Sequence, residues 1–260
     1  MNFNPTIKRA ALPFMILGAG GAGLVLRVML YTLGVDSQGL LPRTHLMHLL
    51  TMLMTVGIAL LLIPCVKRLD GSNRFRHNFP ASIPGGVSAI LAALILLSMD
   101  LELLTEADET LEYVHAGLTL ASVLCLMATG ILRFRGKRPM VLFHGLISGA
   151  FAFHMVFQYR MWSADPQLPD YIFHIFACAC LTLTAYHRAA FDVGLGKRTV
   201  FLFFSLMSVY LCFLCLVGAG DPRFYVAGGI WALGNLCPLD PPKKRKFQST
   251  IRIPDLSERS

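Results

Sequence analysis

Residues 45–66 read HLMHLLTMLMTVGIALLLIPCV and contain no aspartate, glutamate, lysine or arginine. As an α-helix rising 1.5 Å per residue, this stretch would be about 33 Å long, enough for the roughly 30 Å hydrocarbon core of a bilayer. It does not alternate between apolar and polar residues, and it is far longer than the roughly 10 residues that a membrane β-strand needs. The stretch therefore predicts a transmembrane helix.

Seven further apolar stretches give the whole chain the composition of a membrane protein. Of its 260 residues, 55% are hydrophobic and 15% are charged, and the mean hydropathy is +0.60. A soluble domain of this size needs more polar surface. We predict an all-α, polytopic transmembrane bundle of about eight spans within residues 1–239. The third and eighth spans are short, and three glycines make the eighth the weakest. The predicted spans are residues 11–31, 45–66, 83–99, 113–132, 140–162, 171–188, 199–217 and 224–239.

The basic residues are distributed unevenly between the two sides of the predicted bundle. Nineteen of the 23 lysines and arginines lie before the first span, after the second, fourth, sixth and eighth spans, or in the C-terminal tail. The other side carries four arginines and six acidic residues in the segment 100–112. Because loops rich in lysine and arginine stay in the cytoplasm, both termini are predicted to be cytoplasmic. The net charge of +8 therefore indicates orientation in a membrane, predicted to be the plasma membrane, and not nucleic-acid binding.

The last segment, residues 240–260, differs in composition from the spans. It contains Pro241, Pro242 and Pro254, many charged residues and few apolar ones, which is typical of a disordered tail. A run of four basic residues follows the last span on its predicted cytoplasmic side. Such a run is attracted to anionic lipid headgroups, which we predict as its partner. The run consists of Lys243, Lys244, Arg245 and Lys246.

Small residues predict where helices approach one another closely. Residues 18–23 of the first span read GAGGAG, and Gly145 and Gly149 form a G-x-x-x-G pair in the fifth span. Glycines on a membrane helix allow a neighbouring backbone to come near. Both places are therefore predicted to be helix contacts.

Polar side chains in four predicted spans fall on one face of each helix. At 100° per residue, His115, Thr119, Ser122 and Thr129 of the fourth span lie within an arc of about 120°. The second, fifth and sixth spans carry similar stripes, each with a histidine toward the predicted outer side. Stripes that converge would line a polar cavity open to the outside, with acidic residues such as Asp100 at its rim. The candidate cavity or ligand residues are His45, His48, His115, His144, Ser148, His154, Gln158 and His174.

A histidine-lined cavity predicts a transporter or permease-like protein for a small solute or ion. An imidazole has an ordinary pKa of about 6.5, so a proton-coupled step is chemically available. Many transporters also use a broken helix or a carboxylate at the membrane midplane, and neither is evident in this sequence.

Two other classes of function fit the same residues. His45-x-x-His48 places two imidazoles one helical turn apart, and His115 or His174 would complete a transition-metal site in a membrane enzyme or sensor. A single haem between His154 and His174 is a further form of this alternative, although the sequence requires neither cofactor. The last alternative is a scaffold subunit in which the polar stripes pack against one another without chemistry of their own.

Overall fold

The computed structural model describes residues 5–33, 46–69, 73–163, 171–218 and 220–236, and the regular structure within these ranges is helical, with no strand. The prediction of an all-α chain is therefore confirmed. Eight of the described helices are long, and a ninth, α3, is a single short turn. The helices are α1 (Pro5–Leu33), α2 (Leu46–Arg68), α3 (Phe75–Asn78), α4 (Ile83–Glu106), α5 (Thr110–Phe134), α6 (Val141–Trp162), α7 (Ile172–Val193), α8 (Arg198–Leu214) and α9 (Pro222–Leu236).

Five of these helices have the length and composition of membrane spans. They are α2, α4, α5 and α6 over their full length and the part of α1 from Leu12 to Leu33, and each contains 22 to 25 residues. A rise of 1.5 Å per residue makes them about 33–38 Å long, enough to cross a hydrocarbon core. Helix α8 is also apolar but has 17 residues, while α7 and α9 have 22 and 15.

Six helices, α4 to α9, form a closed ring in which each helix packs against the next one in the chain. Helix α9 completes the ring by packing against α4. Helices α1 and α2 pack against each other outside the ring, where both contact α8. Short connections make consecutive ring helices antiparallel neighbours.

The two ends of the ring differ in charge. At the acidic end, α4 meets α5, and the chain carries Glu102, Glu106, Glu109 and Glu112. At the basic end lie the helix α3 and the α5–α6 and α7–α8 connections. The basic end carries Arg76, Lys137, Arg138 and Lys197.

The outer surface of the bundle is apolar. Leu61 of α2, Leu124 of α5 and Val156 of α6 each expose more than half of the side chain, at 67%, 62% and 61%. Helix α8, by contrast, contains no exposed residue. Soluble monomers rarely expose continuous apolar surface of this extent, whereas lipid covers it at no cost. The fold is therefore that of a helical membrane protein.

Glycines explain how α9 fits between its neighbours. A Cβ atom added at Gly234 would overlap the side chain of Ser88 on α4. One added at Gly228 would lie 2.6 Å from Cδ1 of Leu181 on α7. The glycines that made the eighth span the weakest prediction are thus the residues that let α9 pack closely against two other ring helices.

The predicted glycine contact on α1 is present, and the one on α6 is not. A Cβ atom added at Gly20 would come within 3.0 Å of Phe213, and one added at Gly23 would come within 3.0 Å of Leu214. Both contacted residues lie at the C-terminal end of α8. At Gly145 and Gly149 an added Cβ would meet no atom of the described residues within 4 Å. The prediction of close packing at the latter pair is wrong, because this face of α6 is open.

Candidate functional site

A cavity of about 190 Å³ opens at the acidic end between α4, α5, α6 and α9. Since water occupies about 30 Å³ per molecule, the space suits a few waters or one small solute. Its apolar lining includes Met99, Leu103 and Phe157. Its polar lining consists of Glu102, Glu106, His115, His154, Gln158, Asp221 and Arg223.

Two histidines in the wall of this cavity are hydrogen-bonded to each other. Nε2 of His115 lies 2.9 Å from Nδ1 of His154, and both side chains are buried. Phe157 stacks on the His115 ring at 4.5 Å between centroids, and Phe224 stacks on the His154 ring at 3.8 Å. The bond needs one hydrogen between the two nitrogens, so one imidazole donates and the other accepts. The pair keeps this bond after taking up one extra proton and loses it after taking up two.

The charges around the cavity favour a cation. Arg223 forms ion pairs with Glu102, at 2.5 Å between Nη2 and Oε2, and with Asp221, at 2.7 Å. With Glu106, the lining thus contains three carboxylates against one guanidinium. Clefts lined by an excess of one charge concentrate ions of the opposite sign.

Asp100 lies inside the bundle rather than at the cavity rim. It follows Met99 of the lining and its side chain is fully buried. Neither carboxylate oxygen has a hydrogen-bond partner within the described part of the chain. The predicted rim position is therefore wrong. Helical periodicity in the sequence indicates this burial, because Asp100 follows Leu96 by four residues and Ala93 by seven and so lies on the same buried face of α4. An ionisable side chain enclosed within a membrane helix usually has a functional role.

His174 belongs to a second polar cluster near the α8–α9 connection. Its ring lies 5.1 Å from that of Tyr225 and 5.4 Å from that of Trp162. A Cβ atom added at Gly218 would lie 2.8 Å from Nε2 of His174 and 3.2 Å from Nη2 of Arg27. Arg27 is itself fully buried.

His48 lies outside the ring on α2. Its ring meets that of Phe173, at the start of α7, edge-on at 5.9 Å. The structure thus brings His115, His154 and Gln158 together at one cavity and places His48 and His174 in separate surroundings.

His144 lies toward the opposite end of α6 from His154, in a buried charged triad. Its Nδ1 lies 2.6 Å from Oδ2 of Asp192, and Nη1 of Arg188 lies 2.9 Å from Oδ1 of the same carboxylate. The guanidinium of Arg188 also stacks 3.7 Å above the centre of the Phe79 ring. Asp192 was not among the predicted site residues, although its spacing of four residues from Arg188 on one helix is typical of an ion pair.

The remaining candidates have simpler positions or fall elsewhere. Ser148 donates a hydrogen bond to the carbonyl oxygen of Thr182, 3.1 Å away, and so helps to join α6 to α7. His45 lies outside the described residues. The tail 240–260, with Lys243, Lys244, Arg245 and Lys246, also lies outside them.

Metal binding was predicted for a set drawn from His45, His48, His115 and His174. Across the parts of the chain that the structure describes, no three His, Cys, Asp or Glu side chains come together as metal ligands. Within these parts His115 pairs with His154, whereas His48 and His174 lie in other surroundings.

Comparison with known proteins finds no matching family model, no similar curated protein and no similar solved structure. The fold and the exposed apolar surface define the class as a helical integral membrane protein. Any more specific function has to be argued from the geometry of the polar groups.

Proposed function

We propose that this chain transports a small cation or amine-bearing solute across the plasma membrane and couples that movement to protonation of the His115–His154 pair. The observation that carries the proposal is the hydrogen-bonded imidazole pair in the wall of a cavity with an excess of carboxylates. A solute cation and an added proton compete for the same negative surroundings, so binding of one favours release of the other.

The proposed topology has eight spans, with both termini and the basic end in the cytoplasm. Helices α8 and α9 measure about 26 and 23 Å at 1.5 Å per residue, somewhat less than a hydrocarbon core. Their burial within the ring supports their inclusion, because a helix shielded from lipid does not itself have to match the bilayer. The positive-inside rule supports the orientation.

Buried aromatic side chains support a cavity that is closed toward the basic end. The ring of Phe151 lies 5.5 Å from that of Phe224, which itself stacks on His154, and 5.9 Å from that of Trp231. This apolar layer favours an outward-open state, from which transport requires the ring helices to rearrange around the imidazole pair. Asp100 directly follows the lining residue Met99 and is enclosed by the bundle. Its carboxyl group is a second group that is able to carry a proton or bind the cation.

A proton-flux assay tests the proposal. Liposomes containing the full-length protein and an internal pH-sensitive dye receive alkali cations, choline, ethanolamine or putrescine in turn. At least one of these solutes is expected to move protons in a protein-dependent way, with loss of the flux in His154→Gln. The matched control is His187→Gln, since His187 stacks on Phe204 outside the cavity. Absence of flux for every solute, or equal flux in wild type and His154→Gln, would overturn the proposal.

The same purified protein distinguishes the alternative functions. A Soret absorbance band or a stoichiometric bound metal would favour the haem- or metal-binding enzyme or sensor over a transporter. Absence of solute-dependent proton flux in wild type, together with unchanged thermal stability after replacement of both His115 and His154 by phenylalanine, would favour the scaffold subunit.

A further inference from the structure

A second cavity, of about 390 Å³, opens at the basic end of the ring. Three of its five lining residues are basic, and none is acidic. The aromatic ring of Phe75, on the short helix α3, forms part of the wall. The lining consists of Phe75, Arg76, Gly136, Lys137 and Arg138.

Guanidinium groups continue from this cavity into the bundle along two aromatic rings. Those of Arg138 and Arg188 lie 5.7 Å and 5.0 Å from the centre of the Phe75 ring. Arg188 also lies over Phe79, and Arg133 lies 4.9 Å from the centre of that same ring. Stacking on an aromatic face leaves the N–H groups at the edge of a guanidinium available for acceptors. Arg188 donates from this edge to Asp192. Nη2 of Arg138 donates to the carbonyl oxygen of Phe191, 2.9 Å away.

Arg133 carries the inference. Its side chain is buried, yet among the residues that the structure describes Nε, Nη1 and Nη2 have no hydrogen-bond partner. Its Nε lies against the first turn of α4, 3.1 Å from where a Cβ on Gly85 would be. A buried cation without an acceptor is strongly unfavourable, so a group that binds there would be held tightly.

The acid near these arginines does not satisfy Arg133. Asp192 already accepts hydrogen bonds from Arg188 and His144, one on each carboxylate oxygen. Arg133, Arg138 and Lys137 therefore leave an excess of positive charge at the basic end. A phosphate group matches this excess, because it carries more than one negative charge and offers several oxygens to the planar guanidinium fork.

We infer that the basic end binds a phosphate group, held by Arg133, with Lys137 and Arg138 at the mouth of the cavity. The site is independent of the His115–His154 cavity, which lies at the other end of the ring. The phosphate comes either from a soluble phosphate compound or from the headgroup of an anionic lipid, since both present the same chemistry to Arg133.

Two binding measurements on the full-length protein in detergent distinguish these sources. The first measures saturable binding of radiolabelled inorganic phosphate. The second uses native mass spectrometry to compare retention of phosphatidylglycerol with that of a diacylglycerol of the same acyl chains, which lacks the phosphate. Wild type is expected to bind in at least one measurement. Arg133→Gln is expected to weaken that binding about tenfold or more, because hydrogen bonds to charged groups are among the strong ones.

Arg135→Gln is the matched control. Arg135 lies two residues after Arg133, and its side chain is exposed, so the variant removes the same charge from the surface. It is expected to keep nearly wild-type binding. If Arg133→Gln does not purify as a folded species, Arg133→Lys and Arg138→Gln carry the test, and each is expected to weaken binding. Absence of phosphate-dependent binding in both measurements, or equal losses in the variants and in Arg135→Gln, would overturn the inference.

Discussion

Nδ1 of His144 lies 2.6 Å from Oδ2 of Asp192, and this contact joins α6 to α7 within the basic end of the ring. Oδ1 of the same carboxylate accepts a hydrogen bond from Arg188. Asp192 thus neutralises a buried guanidinium and fixes a histidine on the neighbouring helix. The acidic end has a different arrangement, in which two imidazoles bond to each other and no carboxylate lies between them.

Asp192→Asn is expected to destabilise the protein substantially. The change removes the charge that compensates Arg188, and breaking a buried ion pair by losing one partner typically costs about 3–5 kcal/mol. Thermal unfolding of the purified variant measures the effect. Glu109→Gln is the control, because Glu109 pairs with Arg160 at 3.8 Å on the exposed surface and should change the unfolding midpoint little. Equal midpoints for the two variants would contradict the role given to Asp192.

Gly234→Ala is expected to disturb the α4–α9 contact that closes the ring. The new methyl group would overlap the side chain of Ser88, and forcing extra atoms into a packed interface typically costs about 1–3 kcal/mol. Thermal unfolding again gives the measurement. Ser88→Gly combined with Gly234→Ala should recover much of the loss, whereas Gly149→Ala, on an open face of α6, should be tolerated. A Gly234→Ala variant as stable as wild type would show that α9 does not pack as described.

A double-mutant cycle on His115 and His154 separates structure from chemistry. Replacing either histidine by phenylalanine leaves the other with a buried nitrogen without its partner, at a typical cost of about 1–3 kcal/mol. Replacing both removes the unsatisfied nitrogens, so the double variant should be more stable than the sum of the single effects predicts. Proton-coupled flux should nevertheless be absent in all three variants. Strict additivity of the stability changes would indicate that the two rings do not interact.

The positions of the helices that face lipid over a full span, such as α2 and α6, were predictable because a bilayer requires a long apolar stretch in each of them. The second predicted span, residues 45–66, and the fifth, 140–162, agree closely with α2 (Leu46–Arg68) and α6 (Val141–Trp162). The third span was predicted to end at residue 99, directly before Asp100. The structure continues α4 to Glu106, since a carboxylate enclosed by other helices does not have to end a span.

The pairing of polar groups was not predictable to the same degree. Helical periodicity gave the face on which His115 lies, but the partner of a face depends on which helices become neighbours. Helix α2 lies outside the ring because α1 and α2 pack on α8, and this position separates His48 from His154. The sequence of α2 alone contains no pattern that indicates this packing. The insertion of α3 beneath the basic end was missed because four residues carry no periodicity.

The proposed transport requires a solute cavity that opens outside the cell and contains the imidazole pair. Cysteine labelling at Gln158, which lines this cavity, tests it in intact cells with a thiol reagent that does not cross membranes. Gln158→Cys and the exposed Glu106→Cys at the acidic end should both react from outside, while Arg135→Cys at the basic end should react only after permeabilisation. Labelling of Arg135→Cys in intact cells, or failure of Gln158→Cys to react where Glu106→Cys does, would contradict the account.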